Sequence, residues 1–429
     1  MTEPSTESGV PTSTRRHLTQ IIQSVGTPAY VYDLGVVRSS FAALREDLPA
    51  ASELFYSLKA NPHPLVVAQL ADLGARAEVS STGELSVALA AGCPAHGVLY
   101  TGPGKTMAEL EDALHRGVRL FSVESVTDRQ RLAEACSRTG STADYLIRVN
   151  SPRGSTGGSL RMTGRPSAFG VDHNDSQALD RLLRPLGAVR PVGMHTFCAT
   201  NIADPVALAA EFEQSVRTIA AIAGPAGFTP QVLDLGGGFP APFARPGSLP
   251  RHPQLRAAID AALDTAFPDQ RRNGTRVLFE SGRALTATAG TLLTTVLDVK
   301  LSGDRVFAVL DAGVNVLGGM SGLGRLRSPS VVPIPLGEGT PASELSPAGP
   351  VTLVGPLCTP LDVLAPAVEG LSLSPGQTLA IPNTGAYGPT ASLLGFLSRT
   401  PPAEVVVDGD RIVAAGRLGL HTQEVVLRG

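Results

Sequence analysis

From residue 54 onward, short apolar runs alternate with stretches whose apolar positions recur at helical spacing. The runs Leu54–Leu58, Ala77–Ser80, Val98–Thr101, Arg119–Val123, Tyr145–Val149, Val192–His195, Val232–Leu235 and Val277–Glu280 predict eight strands. Between them, Pro64–Leu73, Gly83–Ala91, Met107–Arg116 and Val126–Arg138 are among the segments that predict helices. Strand–helix alternation implies a parallel sheet, and eight such units fit a (β/α)8 barrel of the TIM type. A doubly wound open sheet is the structural alternative, because the pattern does not show closure. After about residue 290 the rhythm changes. Thr294–Lys300, Arg305–Leu310, Val331–Ile334, Val351–Gly355, Thr378–Ile381, Val405–Val407 and Glu424–Leu427 are β-rich runs between Gly/Pro turns. The expected organisation is a disordered tail over 1–26, a barrel over 27–289 and a C-terminal all-β domain over 290–429, with the Ala29–Tyr32 run as an N-terminal strand joining that β domain.

Composition narrows the function classes. The 429 residues are 43% hydrophobic and 17% charged, which suits buried cores rather than a disordered chain. Lys+Arg 35 against Asp+Glu 38 gives a net charge of −3, which offers no basic surface for a nucleic-acid backbone. No run of 18 uncharged apolar residues is present, so no membrane span is expected. Met1–Thr14 holds seven Ser/Thr and no apolar h-region, unlike a signal peptide, and the expected location is cytoplasmic. Cys93, Cys136, Cys198 and Cys358 form no CxxC pair, so neither a disulfide framework nor a metal centre is expected.

Only three of the basic residues are lysines: Lys59, Lys105 and Lys300. In a barrel, function collects at the C-terminal strand ends. Those ends carry Lys59, Ser80-Ser81, Gly102, Glu124, Asn150, His195, the run Asp234-Leu-Gly236-Gly237-Gly238, and Glu280-Ser-Gly282-Arg283. Lys59 reads either as a solvated strand-end lysine or as a desolvated amine that forms a Schiff base with an aldehyde cofactor. Lys105 in Gly102-Pro-Gly-Lys-Thr106 is not a P-loop, because the first glycine of that motif would fall on Leu99. Lys300 reads as a surface residue of the β domain. Consecutive glycines at 236–238 allow backbone N–H groups to approach a phosphate, or make a tight turn; a dinucleotide fingerprint is disfavoured by the Pro-rich stretch that follows. Glu280 reads as a partner for a pyridinium N–H or as a structural partner of Arg283. His195 reads as a ring-stacking or proton-transferring histidine or as a satisfied core residue. Cys358 alone reads as a small buried hydrophobe.

Taken together, Phe55-Tyr-Ser-Leu-Lys59-Ala-Asn-Pro, Ala77-Glu-Val-Ser-Ser-Thr-Gly-Glu-Leu85, Gly193-Met-His195, Asp234-Leu-Gly-Gly-Gly238, Glu280-Ser-Gly-Arg283, Gly355-Pro-Leu-Cys358 and Gly385-Ala-Tyr387 resemble the fold-type III pyridoxal-phosphate-dependent decarboxylases. That group contains diaminopimelate and ornithine decarboxylases. The resemblance runs from about residue 27 to near the end of the chain. It implies pyridoxal 5′-phosphate on Lys59, His195 stacked on the ring and Glu280 at the ring nitrogen. It further implies phosphate contacts from the Asp234–Gly238 loop, Gly282, Arg283 and Tyr387. It implies a head-to-tail homodimer in which Cys358 serves the partner's active site as a candidate proton donor.

The departures matter as much. The substrate-binding acid that diaminopimelate and ornithine decarboxylases place after the cysteine is Thr359 here, in Cys-Thr-Pro-Leu-Asp362. The stretch after Asp311-Ala-Gly-Val-Asn315 lacks their substrate arginine and tyrosine, and His195-Thr-Phe-Cys-Ala-Thr-Asn201 replaces their His-x-Gly-Ser-Gln. Arg161-Met162 with Pro166-Ser-Ala-Phe-Gly170, and Ser321-Gly-Leu-Gly-Arg325, look closer to a specialised-biosynthesis branch that acts on carrier-bound glutamate or siderophore intermediates. The expectation is α-decarboxylation of an L-amino acid or a conjugated, possibly carrier-bound, amino acid. Arg283, Thr359, Asp362, Arg161 and Arg325 are the candidate substrate contacts. Diaminopimelate decarboxylation, an alanine-racemase-like activity, and an antizyme-like or PLP-carrier protein are the alternatives. The β-domain Cys and Gly-Ala-Tyr motifs argue against the racemase, and retention of Lys59 and Cys358 argues against a non-catalytic chain.

Overall fold

The computed structural model describes residues 12–151, 160–161, 167–197, 199–269, 273–318, 330–336 and 349–424. The chain forms two compact units, one made of Val36–Ala241 with Leu249–Thr286, the other of Met1–Gly35, Pro242–Ser248 and Ala287–Gly429.

In the first unit, the strands Glu53–Ser57, Arg76–Val79, Val98–Tyr100, Leu120–Val123, Ala143–Asn150, Val189–Thr196, Val232–Asp234 and Arg276–Ser281 pair in parallel, each with the next. Arg276–Ser281 pairs back onto Glu53–Ser57, so the sheet is a closed eight-stranded barrel rather than an open one. The helices between strands start where the sequence supplies caps. Ser81 accepts the Glu84 N–H ahead of Thr82–Ala90, and Thr106 with Glu109 forms a reciprocal capping box ahead of Met107–His115. Ser125 caps Val126–Thr139, which Gly140 ends in the left-handed conformation. Asp204 caps Pro205–Ala223, with proline at the first helical turn.

The barrel interior is layered by the period of two along each strand. Phe55, Leu99, Leu146, Val192, Val232 and Leu278 form one apolar cluster, with Leu120 packed against it. Two residues further along, on the same face of their strands, stand Ser57, Thr101, Arg148, Asp234, Glu280 and Ser122. A dry floor thus lies beneath a polar layer at the C-terminal end.

The second unit is mostly β, with one longer helix near the start of the chain and short helical segments elsewhere. Its sheet runs in the order Val363–Val368, Val351–Val354, Arg305–Leu310, Gly290–Ser302, Ala29–Asp33, Ala403–Asp408, Arg411–Arg417. Thr378–Pro382 pairs with Gly290–Ser302 as well, and carries Ile334–Pro335 on its other side. Two strands here were not expected. Val363–Val368 contains Pro366, which the sequence pattern counts against a strand, and Arg411–Arg417 is an edge strand held by Ala403–Asp408 across a turn at Gly409. The strand expected over Val331–Ile334 shrinks to Ile334–Pro335, and the one expected over Glu424–Leu427 falls largely outside the described residues.

Two expectations about organisation change. The segment read as a disordered tail carries a helix, Thr12–Val25. Leu18, Ile21, Ile22 and Val25 make a helical stripe, and Leu18 and Ile21 are buried against Ala29, Val31, Leu293 and Val405. Residues Pro242–Ser248 group with the β unit, not the barrel. The Asn383 side chain donates to the carbonyls of Arg245 and Gly247, at 2.7 and 3.0 Å, which explains that grouping. The strand Ala29–Asp33 pairs with Gly290–Ser302 and Ala403–Asp408 of the β unit. Among the described residues no helix is long and apolar enough to cross a membrane.

Candidate active site

Lys59 sits in the single turn Leu58–Ala60 that ends the Glu53–Ser57 strand. Gly282 lets the opposite strand end pack against this turn, since a Cβ there would meet the Ala60 Cβ at 2.6 Å. The Lys59 side chain is 46% exposed, not desolvated. Its Nζ donates to both oxygens of the buried Glu78 carboxylate, at 3.2 and 3.1 Å. Burial pushes the Glu78 carboxyl up, but the Lys59 charge and hydrogen bonds from Ser57 and Thr101 outweigh it, leaving Glu78 below its ordinary value. Glu78 is thus part of the lysine's machinery. No local pattern in Ala77–Leu85 marks Glu78 for this role, because only strand pairing, Ser57 against Glu78, brings it to the lysine.

Deeper in the mouth, His195, Asp234 and Glu280 bring their ligand atoms within 4.8 Å of one another, all buried. His195 Nδ1 shares a hydrogen bond with Ser122 Oγ at 2.8 Å, and its Nε2 lies 3.4 Å from Glu280 Oε1. His195 Nε2, Glu280 Oε1 and Asp234 Oδ2 are buried without a hydrogen-bond partner. Burial, with Arg148, Lys59 and Lys105 nearby, holds the His195 imidazole well below its ordinary value, which favours the neutral ring. Burial, reinforced by Asp234 and Glu78, pushes Glu280 well above the ordinary carboxylate range. Asp234 is pushed up to about 7, again chiefly by burial. A buried acid with an orphaned oxygen lacks a donor. A protonated pyridine nitrogen is such a donor, and its positive charge would offset the burial that disfavours the Glu280 carboxylate. The residues therefore fit pyridoxal phosphate.

The glycine run is dictated by backbone approach. Cβ atoms at Gly236 and Gly237 would meet the carbonyls of Thr196 and Glu280 at 2.3 and 2.4 Å, and Gly236 and Gly238 have φ of +70° and +115°. The Gly236 N–H is held by Asp234 Oδ1 at 2.9 Å. Arg283 opens the short helix Arg283–Thr286 directly after the Glu280 strand. At the other side of the mouth, Arg148 pairs with Glu124 at 3.1 Å and lies over the Phe169 ring. Lys105 is wholly structural. Its buried Nζ reaches Asp128 and the carbonyls of Gly102 and Ser122.

Cys358, Thr359, Asp362 and Tyr387 belong to the β unit. Cys358 is an exposed free thiol at the end of the strand Val351–Val354 and its loop, not the buried hydrophobe of the residue-by-residue reading. Thr359 is half-buried, with Oγ1 accepting the Leu361 N–H at 3.3 Å. Asp362 corrects the expectation of a substrate contact. Its carboxylate accepts the N–H groups of Val314 and Leu357, at 2.7 and 2.8 Å, and fills space that forces glycine at 313 and 355. It is a buried staple between two loops. Tyr387 holds a left-handed φ of +56°, sparsely used by non-glycine residues, in a loop that Gly290 and Gly385 let approach the sheet. Arg161 lies in a two-residue strand paired with Ala199–Thr200, and Arg325 lies outside the described residues.

Ser122 is the second site residue that sequence reasoning missed. It fixes one nitrogen of His195, so Ser122→Ala is expected to lower kcat by roughly tenfold, as loss of an orienting partner does. The check is imidazole 15N chemical shifts: one His195 tautomer in the wild type and a mixture in the variant. An unchanged tautomer with unchanged kcat would show the contact to be incidental.

A closed (β/α)8 barrel with an exposed lysine at a strand end and a buried acid that lacks a donor is the arrangement that a pyridoxal-phosphate enzyme needs. Comparison with known proteins gives the family. Residues 34–287 match the family described as "Pyridoxal-dependent decarboxylase, pyridoxal binding domain", and the chain belongs to it. The protein is a pyridoxal-phosphate-dependent carboxy-lyase. The chain is 31% identical over 395 residues to the L-glutamyl-[BtrI acyl-carrier protein] decarboxylase of Niallia circulans, covering 91% of this chain and 90% of that protein. It is 30% identical to the diaminopimelate decarboxylase of Aquifex aeolicus, covering 92% and 90%. The crystal structure of diaminopimelate decarboxylase from Helicobacter pylori complexed with L-lysine superposes with a TM-score of 0.78 at 26% identity, covering 92% of this chain and 95% of that one.

Proposed function

We propose that the protein α-decarboxylates an amino acid whose side chain is acidic, conjugated or tethered to a carrier, rather than meso-diaminopimelate or ornithine. Asp362 carries this reading. It is the one carboxylate of the Cys358–Asp362 loop, and both its oxygens are engaged by backbone N–H groups. Thr359 offers a hydroxyl and no charge. A distal ammonium group therefore finds no counter-charge in this loop, and an unmatched charged hydrogen bond costs about 1.5–3 kcal/mol, roughly 10- to 150-fold in affinity. The similarity to a carrier-protein glutamyl decarboxylase supports the same direction.

Bound pyridoxal phosphate supplies an electron sink for the pair left when the Cα–carboxylate bond breaks. Lys59 is assigned as the residue that binds its aldehyde carbon, with Glu78 holding the amine when it is free. Glu280 would hold the ring-nitrogen proton, His195 would cover a ring face, and Gly236–Gly238, Gly282 and Arg283 would hold the phosphate. Cys358 returns a proton to Cα. Its exposure in the β unit supports its serving the active site of a partner subunit in a homodimer.

The test is CO2 release from the holoenzyme over glutamyl-carrier protein, citryl-amino acids, meso-diaminopimelate and ornithine. The expected result is a higher kcat/KM on an acidic or conjugated substrate. A higher value on diaminopimelate than on all of these would return the protein to lysine synthesis.

A further inference from the structure

The two segments assigned to the cofactor phosphate back onto one small cavity within the barrel unit. Phe239 and Pro240, which directly follow the Gly236–Gly238 run, form one wall, and Ala284, next to Arg283, forms another. Leu44 and Asp47 of the helix Leu34–Asp47 face them, together with His252. The cavity holds about 10 Å³, room for one water and no more. His252 is 5% exposed, and neither of its ring nitrogens has a hydrogen-bond partner among the described residues. A neutral imidazole carries one N–H donor and one acceptor nitrogen, so the ring brings both to a site whose other walls are largely apolar.

The main chain fixes the ring's position. The buried Asp47 carboxylate accepts the His252 N–H at 2.8 Å, and the His252 carbonyl accepts the Leu255 N–H at 2.9 Å, where the helix Leu255–Ala266 begins. Few charges surround it. Asp47 is shared with Arg251, whose Nη2 also reaches Glu46. Arg45 and Arg256 donate to backbone carbonyls of the segment 45–50. Arg283 adds a positive charge next to Ala284, and Phe239–Pro240 and Leu249–Pro250 bring none. Burial holds the His252 imidazole below its ordinary value of 6.5, with Asp47 opposing and Arg251 assisting. A base shifted down takes up its proton more readily once its surroundings open. The closed packing is therefore favoured above that ordinary value and is lost progressively as pH falls below it.

We infer that His252 is a positioning residue for the cofactor phosphate: its neutral ring braces Phe239–Pro240 and Ala284 from behind, and a proton on it loosens both phosphate-holding segments. The inference rests on the assignment of Gly236–Gly238 and Arg283 to the phosphate. An imidazolium is attracted to the pinned Asp47, but the opposite walls offer it no polar side chain, and a buried charge without enough partners draws in water. Those walls are the ones that yield. Opening them moves the residues that immediately follow the glycine run and Arg283.

The experiment measures the rate at which the holoenzyme releases pyridoxal phosphate, followed by absorbance, at two pH values where circular dichroism shows the chain folded. Wild type is expected to release cofactor about tenfold faster near pH ~5.5 than near pH ~7.5, since a pKa difference of about one unit between two states is tenfold in their equilibrium. His252→Gln keeps a donor and an acceptor but takes no proton in this range, and is expected to lose the step. Asp234 and Lys59 titrate alike in both proteins, so the difference between them isolates His252. A wild type without the step, or a glutamine variant that retains it, would overturn the inference. His252→Phe, an apolar ring of similar size, gives the same reading if the glutamine variant does not fold. Arg283→Gln tests the phosphate assignment separately and is expected to speed release at both pH values. If it does not, the phosphate assignment fails and His252 with it. Faster release from Arg283→Gln, beside an unaltered step in His252→Gln, would leave the assignment standing and strike His252 alone.

Discussion

Replacing Lys59 with alanine is expected to lower decarboxylase activity by at least ~10³-fold, the scale at which loss of a covalent or acid–base group is felt. The same change removes the lysine proposed to carry the cofactor. Borohydride reduction of the wild-type holoenzyme is expected to fix pyridoxal phosphate on Lys59, read by peptide mass. Lys105 provides the internal control, because its buried Nζ is already committed to Asp128 and the carbonyls of Gly102 and Ser122. Exposed Lys300 is the second control. Label on either, with Lys59 unmodified, would remove the barrel mouth from the chemistry. Glu78 adds a graded expectation. Its carboxylate holds the free Lys59 amine at 3.1–3.2 Å, so Glu78→Gln is expected to slow cofactor loading while leaving Lys59 the labelled residue.

Mixing two inactive proteins, Lys59→Ala and Cys358→Ala, is expected to restore activity if subunits exchange. The motive is structural. Cys358 is exposed on the β unit, whereas Lys59, His195 and Glu280 line the barrel mouth. In a homodimer with shared sites, a mixed pair has one site that lacks both groups and one that has both. A statistical mixture therefore recovers up to about a quarter of wild-type activity, since half the dimers are mixed and each has one competent site of two. Exchange is verified by mass-tagged subunits. Confirmed exchange without recovered activity would place each Cys358 at its own subunit's site and overturn the shared site.

Several features were readable because they are local. Short apolar runs at regular intervals predicted the eight barrel strands to within a few residues, since a strand buried on both faces must be apolar throughout. The rarity of lysine isolated Lys59, and the Gly236–Gly238 run announced a backbone with no room for Cβ atoms. The helix Thr12–Val25 was also readable, but its Leu18–Ile21–Ile22–Val25 stripe was masked by the Ser/Thr-rich residues just before it.

What the sequence determined by itself was the alternation of elements, the residues at the strand ends and, through their joint resemblance, the class of chemistry. The tertiary structure alone decided that the sheet closes, that Glu78 faces Lys59, that Ser122 holds His195, and that Asp362 is consumed by the backbone of Val314 and Leu357. Each of these depends on register between segments far apart in the chain. A one-residue shift along a strand turns every side chain to the opposite face, so the partner of a buried polar group is set by the packed sheet and is not written in its neighbours along the chain.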